Sequence, residues 1–300
     1  MSTPRVDVIV LSWNDGESVR RCLASIASSD WPDLRVLLVD NASTKYDPRT
    51  VVAAHPRTAL LVNPANLGVA GGRNAGLRAV LADRAAEFIL LLDDDTEQAP
   101  DMIRRLVNAW DPAEGRAVLG PSIHERESRE TVTSLGGGWN GWTGRTRHMQ
   151  RGLAAGRFLP LDFVIGCCFF THRSVFDSVG LFDEQFNLYY GEDVDFCLSA
   201  ARRELRSAAV LDAVVYHRVS HAAGGARFNP RYARNKGEKT VRLMRKHGSA
   251  LQWATFLASQ SLFVTGAAVR EGARGNIGAV SELVRGMTGE LAAGGGKGAR

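Results

Sequence analysis

Three hundred residues, 45% of them hydrophobic and 23% charged, suffice for a substantial core and fit one large α/β domain or two small ones. Lys and Arg outnumber Asp and Glu by 37 to 32, a modest excess that suits an anionic small substrate or a membrane surface and does not argue for nucleic acid. The four cysteines lack paired C-x-x-C spacing, which argues against a zinc or disulfide framework. With no apolar signal core at the N-terminus and no run of 18 apolar residues, a cytoplasmic chain is expected.

In chain order, residues 8–12 predict a first strand, ending in the polar turn Trp13-Asn14-Asp15-Gly16. Val19, Leu23, Ile26 and Ala27 recur at helical spacing and predict a helix over 17–28. A second strand over 34–39 ends at Asp40-Asn41-Ala42-Ser43. A third over 58–62 runs into a Gly-rich stretch from Asn66 to Asn74, and 73–83 reads as a helix. Five apolar residues, 88–92, are then followed at once by Asp93, Asp94 and Asp95. The apolar run reads as a strand buried on both faces. Strands and helices alternate with short connections, the pattern of a mainly parallel, doubly wound sheet with helices on both faces. In such sheets ligands bind beyond the carboxyl ends of the strands, where Asn14, Asp40 and the three aspartates all fall.

Three adjacent carboxylates repel one another unless a cation sits among them. An oxygen-rich site of this kind suits Mg²⁺ or Mn²⁺, with substrate phosphates as further ligands. The competing reading is a solvated acid loop capping a helix that begins near Gln98-Ala99-Pro100.

The order is less regular from 120 to 160. Residues 136–142 are too glycine-rich for a helix and read as a loop or hairpin carrying Trp139 and Trp142, which either stack on a sugar face or plug a core edge. Residues 163–171 predict a strand, 173–179 a short helix ended by Gly180, and Gly191-Glu192-Asp193-Val194-Asp195 the start of another helix. A strand over 214–217 leads to a polar loop at 218–231. Residues 227–246 hold eight Lys or Arg against one acid, Glu238, and 250–270 is apolar and helix-compatible. Over 227–270, a basic helix beside an amphipathic one can lie in a membrane interface. The alternative is a helical hairpin packed on the domain or on the partner in a homodimer. The tail, 294–300, is Gly-rich and expected to be disordered.

Taken in order, several signals resemble the family 2 inverting glycosyltransferases of the GT-A fold, especially their rhamnosyl- and galactofuranosyl-transferase-like branch. They are Ser12-Trp13-Asn14, Asp40-Asn41-Ala42-Ser43, the stretch Asn66-Leu67-Gly68-Val69-Ala70-Gly71-Gly72-Arg73-Asn74, and Asp93-Asp94-Asp95. Gly180-Leu181-Phe182-Asp183-Glu184, Gly191-Glu192-Asp193-Val194-Asp195 and His217 complete the series, which covers about 6–220. The resemblance implies a GT-A domain over 5–225; the basic, amphipathic stretch beyond it, 226–293, reads as a helical extension before the tail. It implies metal-dependent inverting transfer from a UDP- or dTDP-linked sugar to a hydroxyl of a glycan, lipid-linked saccharide or glycosylated small molecule.

It also implies roles. Asp93 and Asp95 are metal-side acids, with His217 (rival His221) completing a Mn²⁺ or Mg²⁺ site, and Asp94 faces the ribose or donor sugar. Asp40 accepts from a pyrimidine base, unless it only closes an Asx turn. Ser12, Trp13, Asn14, Asn66 and Gly68 line the donor, and Arg73 reaches the base or diphosphate. Asp193 is the base. Glu192 orients the acceptor hydroxyl or raises the pKa of Asp193, unless these acids merely favour a helix N-terminus. Two rivals remain. A nucleotidyltransferase on a related fold normally has its Gly-rich loop directly after the first strand. A silent carbohydrate- or membrane-binding protein normally loses Asp95 or Asp193.

Overall fold

Pro48 at the first helical turn, Asp15 as an N-cap and the β-branched runs place the elements of the first half. These are β1 (Val6–Ser12), α1 (Gly16–Ala27), β2 (Leu34–Asp40), α2 (Pro48–Ala53), β3 (Thr58–Val62), α3 (Gly68–Leu81) and β4 (Phe88–Asp93). Next come β5 (Thr96–Gln98), α4 (Met102–Ala109), β6 (Val118–Glu125), β7 (Val132–Ser134), β8 (Gly137–Asn140), β9 (Arg145–His148), β10 (Phe158–Leu161) and β11 (Cys168–His172). The chain continues through α5 (Arg173–Val179), α6 (Glu192–Ala201), β12 (Ser207–His217), α7 (Pro230–His247), α8 (Ala250–Gly272) and α9 (Ile277–Ala293). This computed structural model describes residues 3–83, 85–150, 156–186, 191–218 and 229–293.

Among the described residues ten strands form one sheet, in the order β10-β12-β6-β11-β4-β1-β2-β3, with β5 paired to β12 and β7 to β6; β8 and β9 form a separate hairpin. β3, β2, β1 and β4 are mutually parallel, and β12 is parallel to β6. β11 runs against both its neighbours, β4 and β6. Register pairs Ser12 with Asp40 and Leu11 with Asp93, so the ends of β1, β2 and β4 deliver their polar residues to one rim.

Every residue of β1 is buried, because helices cover both faces of the sheet. Val8, Val10, Leu90 and Leu92 belong to a cluster with Val19, Leu23 and Ile26 of α1 and Met102, Ile103 and Leu106 of α4. Ile9 points the other way, to α3, where a Cβ added at Gly76 would lie 2.7 Å from its Cγ2.

Several local expectations change: α3 begins at Gly68, inside the Gly-rich stretch, and the last strand of the sheet begins at Ser207 rather than 214. The apolar stretch 163–171 is a strand only from Cys168; Phe163 and Val164 are buried in the preceding loop. No helix starts at Gln98: Thr96, Glu97 and Gln98 pair with His217, Tyr216 and Val215 of β12, and α4 begins at Met102. The acid run is thus held between two strands rather than capping a helix.

The described residues divide into two compact units, one made of 3–138, 148–186 and 192–218, the other of 139–147, Gly191 and 229–293. In the second, α7, α8 and α9 bury Ala233, Val241, Met244, Phe256, Leu283 and Met287. Ser249 and Gln252 form a capping box that starts α8. Among the described residues, no helix is long and apolar enough to cross a membrane.

Candidate active site

Beyond the ends of β1 and β2 the polar residues lock two loops together. Asn14, at φ 64°, accepts through Oδ1 from the backbone N–H groups of Thr44 (2.7 Å) and Lys45 (3.0 Å). Buried Asp40 accepts from the Ser43 N–H at 2.9 Å and from the Tyr46 hydroxyl at 3.2 Å; that hydroxyl also lies 2.6 Å from Ser12 Oγ. Burial, with Asp40 nearby, pushes the Tyr46 hydroxyl up to about 12. The Asx-type bond to Ser43 is therefore made, and one face of Asp40 is already held by the chain. Asn41 carries the next loop: its Nδ2 donates to Asn66 Oδ1 (3.1 Å) and Gly68 O (3.0 Å), and its Oδ1 accepts from Leu67 N (3.1 Å).

Past β4 the three aspartates take three different partners. Asp93 faces inward to Arg73, Asp94 accepts from the backbone N–H of exposed Trp13 at 3.3 Å, and Asp95 Oδ1 lies 3.2 Å from His217 Nε2. Burial raises the Asp93 and Asp94 carboxyls, that of Asp94 well above the ordinary value, and the Asp95 charge adds to both. Burial lowers His217, but the Asp95 carboxylate outweighs it, with Asp93 and Glu125 adding, and the imidazole ends above its usual value.

Arg73 lies at the centre of the constellation. Its side chain is fully enclosed, and burial acts against its charge, yet Asp93 and Glu192 outweigh that and hold it cationic. Nη2 donates to Asp93 Oδ1 at 2.7 Å and to Gly166 O at 2.8 Å; Nη1 donates to Glu192 Oε1 at 2.9 Å. The N–H of Gly166 in turn donates to Asp193 Oδ2 at 2.9 Å. Arg73 therefore does not extend toward a base or diphosphate; it links the strand-end acids to the acids of α6. A Cβ on residue 166 would stand 2.7 Å from Arg73 Nη1, so glycine alone fits between them.

α6 is mounted rigidly. Phe196 packs with Phe169, Phe176 and Phe182, and Asn74 of α3 bonds the backbone of Phe182 in both directions, at 2.9 and 3.0 Å. The Gly180–Glu184 signal thus ties the Gly-rich helix to the helix carrying the acid pair. On that mount Glu192 and Asp195 are buried and Asp193 is partly open.

Among the described residues, no group of three or more His, Cys, Asp or Glu side chains is arranged to hold a metal ion. Asp95 and His217 do offer an oxygen and a nitrogen donor side by side, a set that suits Mn²⁺. Asp93 is turned to Arg73 instead. His221 lies outside the described residues. Trp139 and Trp142 belong to the second unit; Trp139 packs on its apolar cluster, edge-on to His247, while Trp142 is about half exposed. Three contributors were not legible as such. Tyr46 sits in an ordinary polar loop, Asn41 reads only as a possible turn former, and nothing local marks Gly166 among the chain's 31 glycines.

Residues 7–180 match the Glycosyl transferase family 2 profile. The N-acetylglucosaminyl-diphospho-decaprenol L-rhamnosyltransferase of Mycobacterium tuberculosis is 29% identical over 245 residues, covering 74% of this chain and 78% of its own length. A mannosyltransferase of Pyrobaculum calidifontis, solved with GDP-Man and Mn²⁺, superposes with a TM-score of 0.60 at 18% identity, over 97% of this chain and 88% of that one. GalNAc-T7, solved with UDP, GalNAc and Mn²⁺, gives a TM-score of 0.60 at 16% identity over 71% of this chain and only 43% of its own. At such identities the structures speak for the fold, and the profile speaks for the family. With strand-end acids and a helix-borne acid pair on a GT-A sheet, and a profile match over more than half of its length, the chain belongs to glycosyl transferase family 2 and is a glycosyltransferase.

Proposed function

We propose that the enzyme transfers a sugar, with inversion at the anomeric carbon, from a UDP- or dTDP-linked donor to a hydroxyl of a lipid-linked saccharide, with Mn²⁺ or Mg²⁺ as cofactor. The observation that carries this reading is the Arg73 bridge, which brings Asp93 and the Glu192–Asp193 pair to one place. The lipid-linked acceptor is favoured over other glycans by the M. tuberculosis relative, whose name specifies a diphospho-decaprenol acceptor.

In this reading Asp193 takes the proton of the acceptor hydroxyl as that oxygen attacks the anomeric carbon. The bond from that carbon to the diphosphate oxygen breaks, and the nucleoside diphosphate leaves. Asp193 suits this role because it is partly open, and because the Gly166 N–H and the helix N-terminus fix its orientation. Asp40 and the Asn66–Gly68 turn receive the nucleoside, and Asp94 the ribose or donor sugar. Asp95 and His217 would hold the cation, which when bound would offset the charge growing on the leaving diphosphate. Asp193→Asn is expected to abolish transfer while leaving nucleotide binding in place by calorimetry. Wild-type turnover by that variant removes Asp193 as the base.

A further inference from the structure

α8 turns an almost uncharged face outward. Its first 20 residues, 250–269, contain no charged side chain. Leu251, Leu262 and Val269 are 68%, 77% and 72% exposed and Leu257 about half, whereas Phe256, Gln260 and Ala267 are buried on the inner side. The polar groups left on the outer face are hydroxyls, and they are turned back on the helix. Thr255 Oγ1 donates to Gln252 O (3.0 Å), Ser261 Oγ to Leu257 O (3.0 Å) and Thr265 Oγ1 to Ser261 O (2.9 Å). Hydroxyls whose donors are satisfied in this way carry a reduced desolvation penalty when the face leaves water. A surface built for a protein partner would need outward donors or acceptors to set its register.

Charge identifies the occupant. Residues 219–300 hold thirteen Lys and Arg against four acids, while 1–218 hold 24 against 28. On either side of the uncharged stretch 250–269 in the chain two arginines share one carboxylate: Arg242 and Arg245 share Glu290, and Arg270 and Arg274 share Glu271. Each trio keeps a positive charge. A second copy would set this positive segment against itself, whereas an anionic lipid surface neutralises it. We infer that α8 lies flat on an anionic phospholipid surface, its leucine face in the boundary between headgroups and acyl chains and its flanking arginines at the phosphates. α8 does not cross the membrane, since it is not apolar enough to do so. The inference uses no residue of the transfer site.

Cosedimentation of the full-length enzyme with vesicles, without nucleotide sugar, tests it. Pelleting is expected with equal mixtures of phosphatidylglycerol and phosphatidylcholine, to be weakened by salt, and to be absent with phosphatidylcholine alone. Leu257→Glu/Leu262→Glu is expected to reduce binding at least about tenfold. The milder Leu262→Ser should reduce it less, with thermal melting unchanged in both. No pelleting with the anionic vesicles, equal pelleting with the neutral ones, or variants that bind as wild type each overturn the inference. So does a solution dimer that Leu262→Ser dissociates. Because no turnover is measured, a failed transfer assay leaves this result untouched, and the reverse also holds.

Discussion

Arg73, itself enclosed, holds carboxylates from two distant parts of the chain, the partly open Asp93 and the buried Glu192. Removing one partner of a buried ion pair costs about 3–5 kcal/mol, much of it the penalty of leaving the other charge unpaired. The geometry is therefore sensitive to small intrusions. Gly166→Ala places a methyl 2.7 Å from Nη1, and a guanidinium held on three acceptors cannot swing away freely. We predict a loss of about 1–3 kcal/mol in chemical denaturation and a larger fall in kcat than in donor affinity. Unchanged kinetics would mean that Arg73 tolerates displacement. Asp95→Ala is predicted to remove any strengthening of nucleotide binding by Mn²⁺; equal titrations with and without the ion in the unsubstituted enzyme would count against that pair as its ligands. The acids themselves were legible in the sequence, because they fall at strand ends in series, with an acid pair and a histidine further along the chain. Their partners were not, since a buried arginine and a surface arginine look alike in one dimension.

At the scale of elements, α3 is placed by the absence of side chains. Gly76→Val drives its Cβ against Ile9 Cγ2 and Val39 Cγ2, which would lie 2.7 and 2.9 Å away, and overpacking of this kind costs about 1–3 kcal/mol. Gly266→Ala on α8 meets nothing within 4 Å and should stabilise by about 0.4–1 kcal/mol, since it only restricts the unfolded chain. Opposite shifts in Tm for the two variants are the expected result, and shifts of the same sign would contradict these placements. The alternation of strands and helices in the first hundred residues was readable because each period is long and punctuated. The reversed β11 was not, because strand direction leaves no mark on hydrophobic spacing.

For the molecule as a whole, the end of the sheet opposite the acids is tied by charge as well. Asp83 binds Arg5 at 2.7 Å and Arg35 at 2.9 Å, joining the starts of β1 and β2 to the end of α3. The Ala85 N–H and the Arg5 guanidinium hold the Asp83 carboxyl down at about 2. A lowered carboxyl stabilises the fold fully above its ordinary value of 3.8, and that contribution disappears as the pH falls toward about 2. Asp83→Asn should therefore flatten the decline of Tm over that acid interval; parallel declines in both proteins would assign acid sensitivity elsewhere.

The reversed strand also bears on how such enzymes can be recombined. Residues 166–201 hold the Gly166 turn, β11, α5 and the acid pair of α6, and β11 meets β4 along five register pairs, Cys168 with Leu92 through His172 with Phe88. A cassette cut at those limits carries the proposed base, Asp193, and its mount in one piece. Its junction with the host is the backbone ladder of β11 with β4 and β6, the guanidinium of Arg73, the paired bonds of Asn74 to Phe182, and the bonds of Arg173 to the carbonyls of Leu81, Asp83 and Ala86. Exchanging this block between relatives would move the proposed base together with its mount, into a host that must supply Arg73, Asn74 and the edges of β4 and β6.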